Sequence, residues 1–244
     1  MKKTGFVFLA AALISLGTGC LSAGKAALLA QKDPIALVSI VSNQDINWKD
    51  EGSTDPNTAG LLQKRALRAD TDMAIITGAD ELINTADGLI REALTNSGVI
   101  NLAEKETVLN SQAYANARLN RFQVSRSQDI LKPNNYRYID IGDKKFPQAL
   151  ESETGIQRSM FVELNFTKSM ATGIGKIGSC RANVDMTVTI LDALGKTLYK
   201  TTVSVGSSDS IKVSNAVYSQ SGMIGLLESA ITDACDEFLD NLQN

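Results

Sequence analysis

Two glycine-containing segments and three cysteines are the parts of this chain whose types and spacing could do chemistry. There is no histidine to assist them. Gly173-Ile174-Gly175-Lys176-Ile177-Gly178 has the glycine spacing that cradles a dinucleotide pyrophosphate, but only where the loop joins a strand to a helix N-terminus. Strand-like residues flank it on both sides, so it is expected to be a hairpin connection. Gly195-Lys196-Thr197 is spelled like the end of a phosphate loop, yet Ile190 stands where the first glycine is required, which leaves a β-turn. Without histidine, Ser-His-Asp and Cys-His nucleophiles, His-ligated zinc and the commonest base near neutral pH are all excluded. No catalytic residue, cofactor site or metal site is assigned, and the chain is expected to be non-enzymatic. Asn165-Phe166-Thr167 spells a glycosylation sequon inside a strand and is read as chance.

Cys20 has a different chemistry, set by what precedes it. Lys2 and Lys3 give a positive start, an apolar run follows from Gly5 to Leu16, and Gly17-Thr18-Gly19 supplies small residues before the cysteine. This is the layout of a secretory leader, and about 12 apolar residues are too few to span a bilayer. The segment resembles the lipobox of bacterial lipoproteins, in which the cysteine thiol is acylated and becomes the new N-terminus. Gly17 stands where the lipobox usually carries leucine, with Leu16 one step further out. Relaxed lipoboxes of this kind resemble those of spirochaetes. The resemblance implies a leader over 1–19, lipidation (palmitate among the acyl chains) at Cys20, and an outer-membrane address facing the periplasm.

Removing Lys2 and Lys3 with the leader leaves 22 basic residues against 27 acidic ones, a net charge of −5. No basic block interrupts this balance, so neither nucleic acid nor an anionic lipid surface is indicated. The acyl chains would hold the protein to a membrane, since two or more chains suffice where one binds only marginally.

The remaining 225 residues suffice for one domain with its own core. Residues 20–33 form a tether and 34–244 a single α+β domain, in which helices pack on a mainly antiparallel sheet of about 4–5 strands. Ile35–Val41 is a β-branched apolar run expected as a buried strand. Residues 42–70 make a long polar loop holding the only tryptophan. Long loops without structure of their own are often functional. Asp45, Trp48 and Lys49 are therefore the candidate contact residues, with Trp48 as an exposed aromatic anchor.

Residues 71–97 carry an apolar stripe through Leu82, Ile83, Ala86, Leu89, Ile90, Ala93 and Leu94, opposite Asp80, Glu81, Asp87 and Glu92. Val99–Leu102 is expected as a short strand, 104–120 as one helix, 136–141 as an edge strand and 146–154 as a helix. Period-two alternation over 161–167, 182–190 and 199–205 predicts a three-strand antiparallel meander. A helix closes the chain, with Ile224, Leu227, Ile231, Ala234, Cys235, Phe238 and Leu242 on one face. Cys180 has the buried parity of its strand and Cys235 the buried face of this helix. If the two surfaces meet, a disulfide would close a loop of about 55 residues, worth roughly 2–4 kcal/mol. Two buried thiols are the alternative.

This order of elements resembles the small α/β domain shared by CsgG, LpoB and the N-terminal domain of TolB. The likeness rests on Ile35–Val41, on the helix–glycine turn–strand–helix run from Leu94 to Glu104, and on the hairpin from Val188 to Tyr199. It implies an envelope lipoprotein that acts by protein–protein contact as an assembly factor, activator or adaptor. The partner is an unidentified envelope protein, with a second copy of the chain as a further candidate. No pair of strands is left over for the transmembrane hairpins of a CsgG-type pore. A second, weaker resemblance is to treponemal lipoproteins that insert amphipathic helices into lipid, for which 71–97 and 223–242 would be the candidates.

Overall fold

The computed structural model describes residues 25, 26, 28–30, 32–44, 46–49, 79–122, 130–174, 177–214 and 218–244. The leader, Cys20, Asp45 and most of the polar stretch 42–70 lie outside the described residues. A long hairpin forms the spine of the domain. Strands β4 (Arg158–Ile174) and β5 (Ile177–Asp192) pair antiparallel from end to end. At ~3.4 Å per residue the hairpin is about 50 Å long. On the outer side of β4 lies β1 (Ile35–Asn43), parallel to it, and further along the same edge β2 (Asn47–Trp48), also parallel. On the outer side of β5 lie β6 (Thr197–Gly206) and then β7 (Ile211–Ser214), both antiparallel. Strand β3 (Ile130–Leu131) pairs antiparallel with β1, which gives a seven-stranded sheet of order β3-β1-β4-β5-β6, extended by β2 and β7. The α+β fold and meander match the expectation. The added strands are short segments with too few residues to show a period.

The glycine-rich segment lies at the far end of this hairpin, with Gly175 and Lys176 outside the described residues. Gly173 and Gly178 face each other in the ladder with φ of +99° and +156°. A Cβ on Gly173 would stand 2.2 Å from the Ile177 carbonyl oxygen, and one on Gly178 2.0 Å from that of Thr172. Each glycine is required because the two backbones approach too closely for any side chain.

Two layers of helix cover the sheet. On one face lie α1 (Ala79–Asn96) and α5 (Gln220–Gln243), which bury Leu82, Ile83, Ile90, Leu94, Leu227, Ile231 and Phe238 against Leu37, Ile40, Leu164, Phe166, Val184 and Met186. On the other face lie α2 (Lys105–Leu109), α3 (Gln112–Asn116) and α4 (Lys145–Thr154). They cover β1 and the start of β4, burying Ala36, Val38 and Phe161 beneath Val108, Tyr114, Phe146 and Leu150. Strand β1 is therefore buried on both faces, as its largely apolar run predicts.

Three expectations are corrected. The single helix over 104–120 is two short ones, because Ser111 turns its side chain to cap Tyr114 N and restarts the chain there. Val99–Leu102 contributes one parallel bridge, Leu102 with Ile35, rather than a strand. Residues 136–141 likewise contribute one bridge, Ile139 with Leu119, and the sheet edge there is β3 instead. The expected helix over 71–97 begins at Ala79, and 71–78 lie outside the described residues.

Candidate interaction surface

The polar stretch after β1 does not leave the sheet at once. The Asn43 carboxamide donates to the Phe166 carbonyl at 2.8 Å and accepts from the Phe166 N–H at 2.6 Å, standing in for one rung of ladder. Ile46 is buried, and the chain rejoins β4 as β2, with Lys49 N donating to the Lys168 carbonyl at 2.7 Å. Period-two alternation then sends Trp48 and Lys49 to opposite faces. Trp48 is consequently a half-buried residue packed on the core, not an exposed anchor. Its ring and that of Tyr218 flank the ammonium of Lys168, each centroid 5.2 Å from Nζ, and Nζ donates to the Tyr218 hydroxyl at 3.1 Å. Lys168 has no exposed surface, and the two ring faces and the hydroxyl make a buried cation tolerable there.

Lys49 points to the face that α2, α3 and α4 leave uncovered. Its ammonium lies 3.5 Å from Asp185 Oδ1, and the Asn165 carboxamide donates to Oδ2 at 3.3 Å. Partial burial pushes the Asp185 carboxyl up, but the Ser204 hydroxyl, Lys49 and Asn165 outweigh it and hold the group below the usual carboxylate range. Around this pair the face is polar. Exposed Glu163 and Asn165 on β4 and exposed Lys200, Thr202 and Ser204 on β6 flank Thr187, whose hydroxyl bonds that of Thr202 at 2.8 Å. Beyond it runs the outer edge of β6, ten residues with no further strand among those described.

The two cysteines are not brought together. Both are buried thiols with no disulfide between them, which corrects the bridge considered from parity. Parity placed each on the correct surface but could not show how far apart they lie along it. Helix α5 begins beside β7, where a Cβ on Gly222 would meet Ile211 at 3.1 Å, and Ile211 is the ladder partner of Cys180. Cys235 lies 13 residues further on, about 20 Å along the helix axis, whereas a disulfide needs Cα atoms within about 7 Å. Burial pushes the Cys235 thiol up to about 12, with the neighbouring Asp236 carboxylate adding to the effect.

Sequence reasoning missed one polar cluster. Asp87 is buried, not on a wet helix face. Its Oδ1 accepts from Arg91 Nε at 3.0 Å and from the Tyr136 hydroxyl at 2.8 Å, and its Oδ2 accepts from Lys105 Nζ. Burial pushes the Tyr136 phenol well above its ordinary value, with Asp87 adding to the rise against the opposing Arg91. The cluster ties α1, α2 and the turn at Pro133–Tyr136, and its members already saturate one another. The Asp87–Arg91 spacing of four was its only trace in the sequence. Among the described residues no group of three or more Cys, Asp or Glu could hold a metal ion, and no helix is long and apolar enough to cross a membrane. The apolar faces of α1 and α5, the candidates for insertion into lipid, are spent on the core.

The site and fold define a single mixed α/β domain with one partly uncovered sheet face. No family model and no curated protein matches the chain. Among solved structures it is similar to lipoprotein GNA1162 from Neisseria meningitidis, at 13% identity over 84% of this chain and 99% of that one, with a TM-score of 0.31. It is also similar to the LpoB C-terminal domain from Salmonella enterica, at 11% identity over 77% and 96% of the two chains, with a TM-score of 0.27. Likenesses at these scores decide nothing further about this chain.

Proposed function

We propose that this chain is a bacterial envelope lipoprotein, anchored through acyl chains on Cys20, whose domain works by protein–protein contact as an adaptor or activator rather than by catalysis. The observation that carries the contact surface is the outer edge of β6, set beside a polar sheet face that no described helix covers. Long edge strands are ordinarily shortened, bulged away or loaded with charge, because their free N–H and C=O groups template another strand. Here ten residues carry Lys200 as their single charge. Addition of a partner strand would satisfy those groups, and Lys200, Thr202, Ser204 and the Lys49–Asp185 pair would give side-chain specificity. The partner is another envelope protein, with a second copy of this chain as the alternative. The leader and Cys20 support an outer-membrane site facing the periplasm. The resemblance in layout to the CsgG, LpoB and TolB domain agrees with the same class of work.

Exposed Thr202 and Ser204 offer the test. The double substitution Thr202→Lys, Ser204→Lys puts two charges at the edge without touching the core. It is expected to abolish co-purification of the partner from detergent extracts, while the domain stays folded with a urea-midpoint loss equivalent to about 1–2 kcal/mol from the lost hydroxyl contacts to Thr187 and Asp185. Retention of the partner at full yield would contradict the proposed surface.

A further inference from the structure

The fold gathers at one end of the domain a set of residues that the sequence scatters. Strand β1 enters at Ile35, opposite Arg158 of β4, which in turn lies opposite Asp192 of β5. The entry of the chain and the β5–β6 turn are thus two strand spacings apart, about 10 Å. That turn, Asp192–Gly195, closes with a 2.9 Å bond from Gly195 N to the Asp192 carbonyl, and it presents Leu194, which is 68% exposed. A second turn, Asp140–Asp143, closes the same way and presents Ile141, 44% exposed. The two abut, since a Cβ on Gly195 would stand 3.1 Å from the Cα of Lys144. Exposed Lys144, Lys145 and Lys196 surround these aliphatic residues. Three carboxylates share the pole, each folded onto the N–H groups of its own turn, so that the lysines project beyond them. Asp192 accepts from Leu194 N and Lys196 N, Asp140 from Gly142 N with Arg118 Nε at 3.3 Å, and Asp143 from Arg118 N and Lys145 N.

The first described residues after Cys20 lie at this same pole. Leu28 is buried and lines a cleft of about 250 Å³ with Ile35, Ile190 and Leu242. Leu28 lies eight positions after Cys20, a stretch that can span at most about 28 Å. The opposite pole, the Gly173–Gly178 turn with Ile177, lies about 50 Å away along β4.

We propose that the pole formed by Ile141, Lys144, Lys145, Leu194 and Lys196 rests on an anionic lipid bilayer, so that the hairpin turn points away from the membrane. The two aliphatic side chains enter the headgroup layer and the three ammonium groups meet lipid phosphates. The acyl chains supply attachment and this surface supplies orientation. The inference rests on the reading of Cys20 as the anchor.

The test uses the acylated chain in vesicles of mixed phosphatidylglycerol and phosphatidylcholine that contain a lipid-borne quencher. An environment-sensitive fluorescent amino acid is placed at position 194 or, in a second preparation, at 177. At least threefold stronger quenching at 194 is expected. Lys144→Glu, Lys145→Glu, Lys196→Glu together, or 0.5 M salt, should erase most of that difference. Equal quenching at the two positions, stronger quenching at 177, or indifference to charge reversal would overturn the orientation. Absence of acyl mass on Cys20 would instead defeat the anchor reading. The same comparison with Cys20 coupled to a maleimide lipid then still decides the orientation.

Discussion

At the scale of single residues, burial sets the chemistry of the thiols and hydrogen bonding sets that of the face carboxylate. Cys180 and Cys235 are sealed in the core, and burial holds the Cys235 thiol un-ionised to about pH 12. Alkylation at pH 8 is therefore expected to spare both in the native protein and to modify both after unfolding without reductant, as counted by intact mass. Asp185 behaves in the opposite sense. Its folded pKa lies below its unfolded one, so its contribution to stability is present above the ordinary carboxylate value and is lost as pH falls through the depressed folded value. Carboxyl carbon shifts measured by NMR should place the Asp185 titration midpoint below the ordinary aspartate value. A midpoint at or above the ordinary aspartate value would contradict the Ser204, Lys49 and Asn165 contacts.

At the scale of elements, the Asp87 cluster is the polar joint of the first half of the chain. Asp87→Asn removes the anion and leaves Arg91 and Lys105 facing each other around Tyr136. Breaking one partner of a buried ionic group commonly costs about 3–5 kcal/mol, and a loss of that size in urea unfolding is expected. The Asp87 cluster was illegible in the sequence because Lys105 and Tyr136 reach it from separate segments. What could be read were elements with one wet face. The meander and α5 show their periods because each buries one side and solvates the other. Strand β1 was legible for the opposite reason, being apolar from Ile35 to Val41 apart from Ser39 and buried on both sides. Helix limits between 104 and 120 were not, since Ser111 decides the break by a side-chain cap that leaves the apolar spacing unchanged. For the candidate surface, the sequence supplied Trp48 and Lys49 but not their division. Only pairing of β2 with β4 puts one residue in the core and the other on the open face.

At the scale of the whole molecule, the account is a polar division of labour along a hairpin about 50 Å long. The chain enters at one pole, beside the lysines and aliphatic turns proposed to meet lipid, and the open edge of β6 runs along the flank. The net charge of −5 concealed this, because lysines from two separate turns converge in space beside carboxylates that fold onto their own turns. Photo-crosslinking in cells tests for contact through the β6 flank. A photoreactive amino acid at position 202 is compared with one at exposed position 148 on α4. A discrete crosslinked envelope protein, or a crosslinked dimer, is expected from 202 and none from 148. No adduct from 202, or the same adducts from both positions, would contradict it.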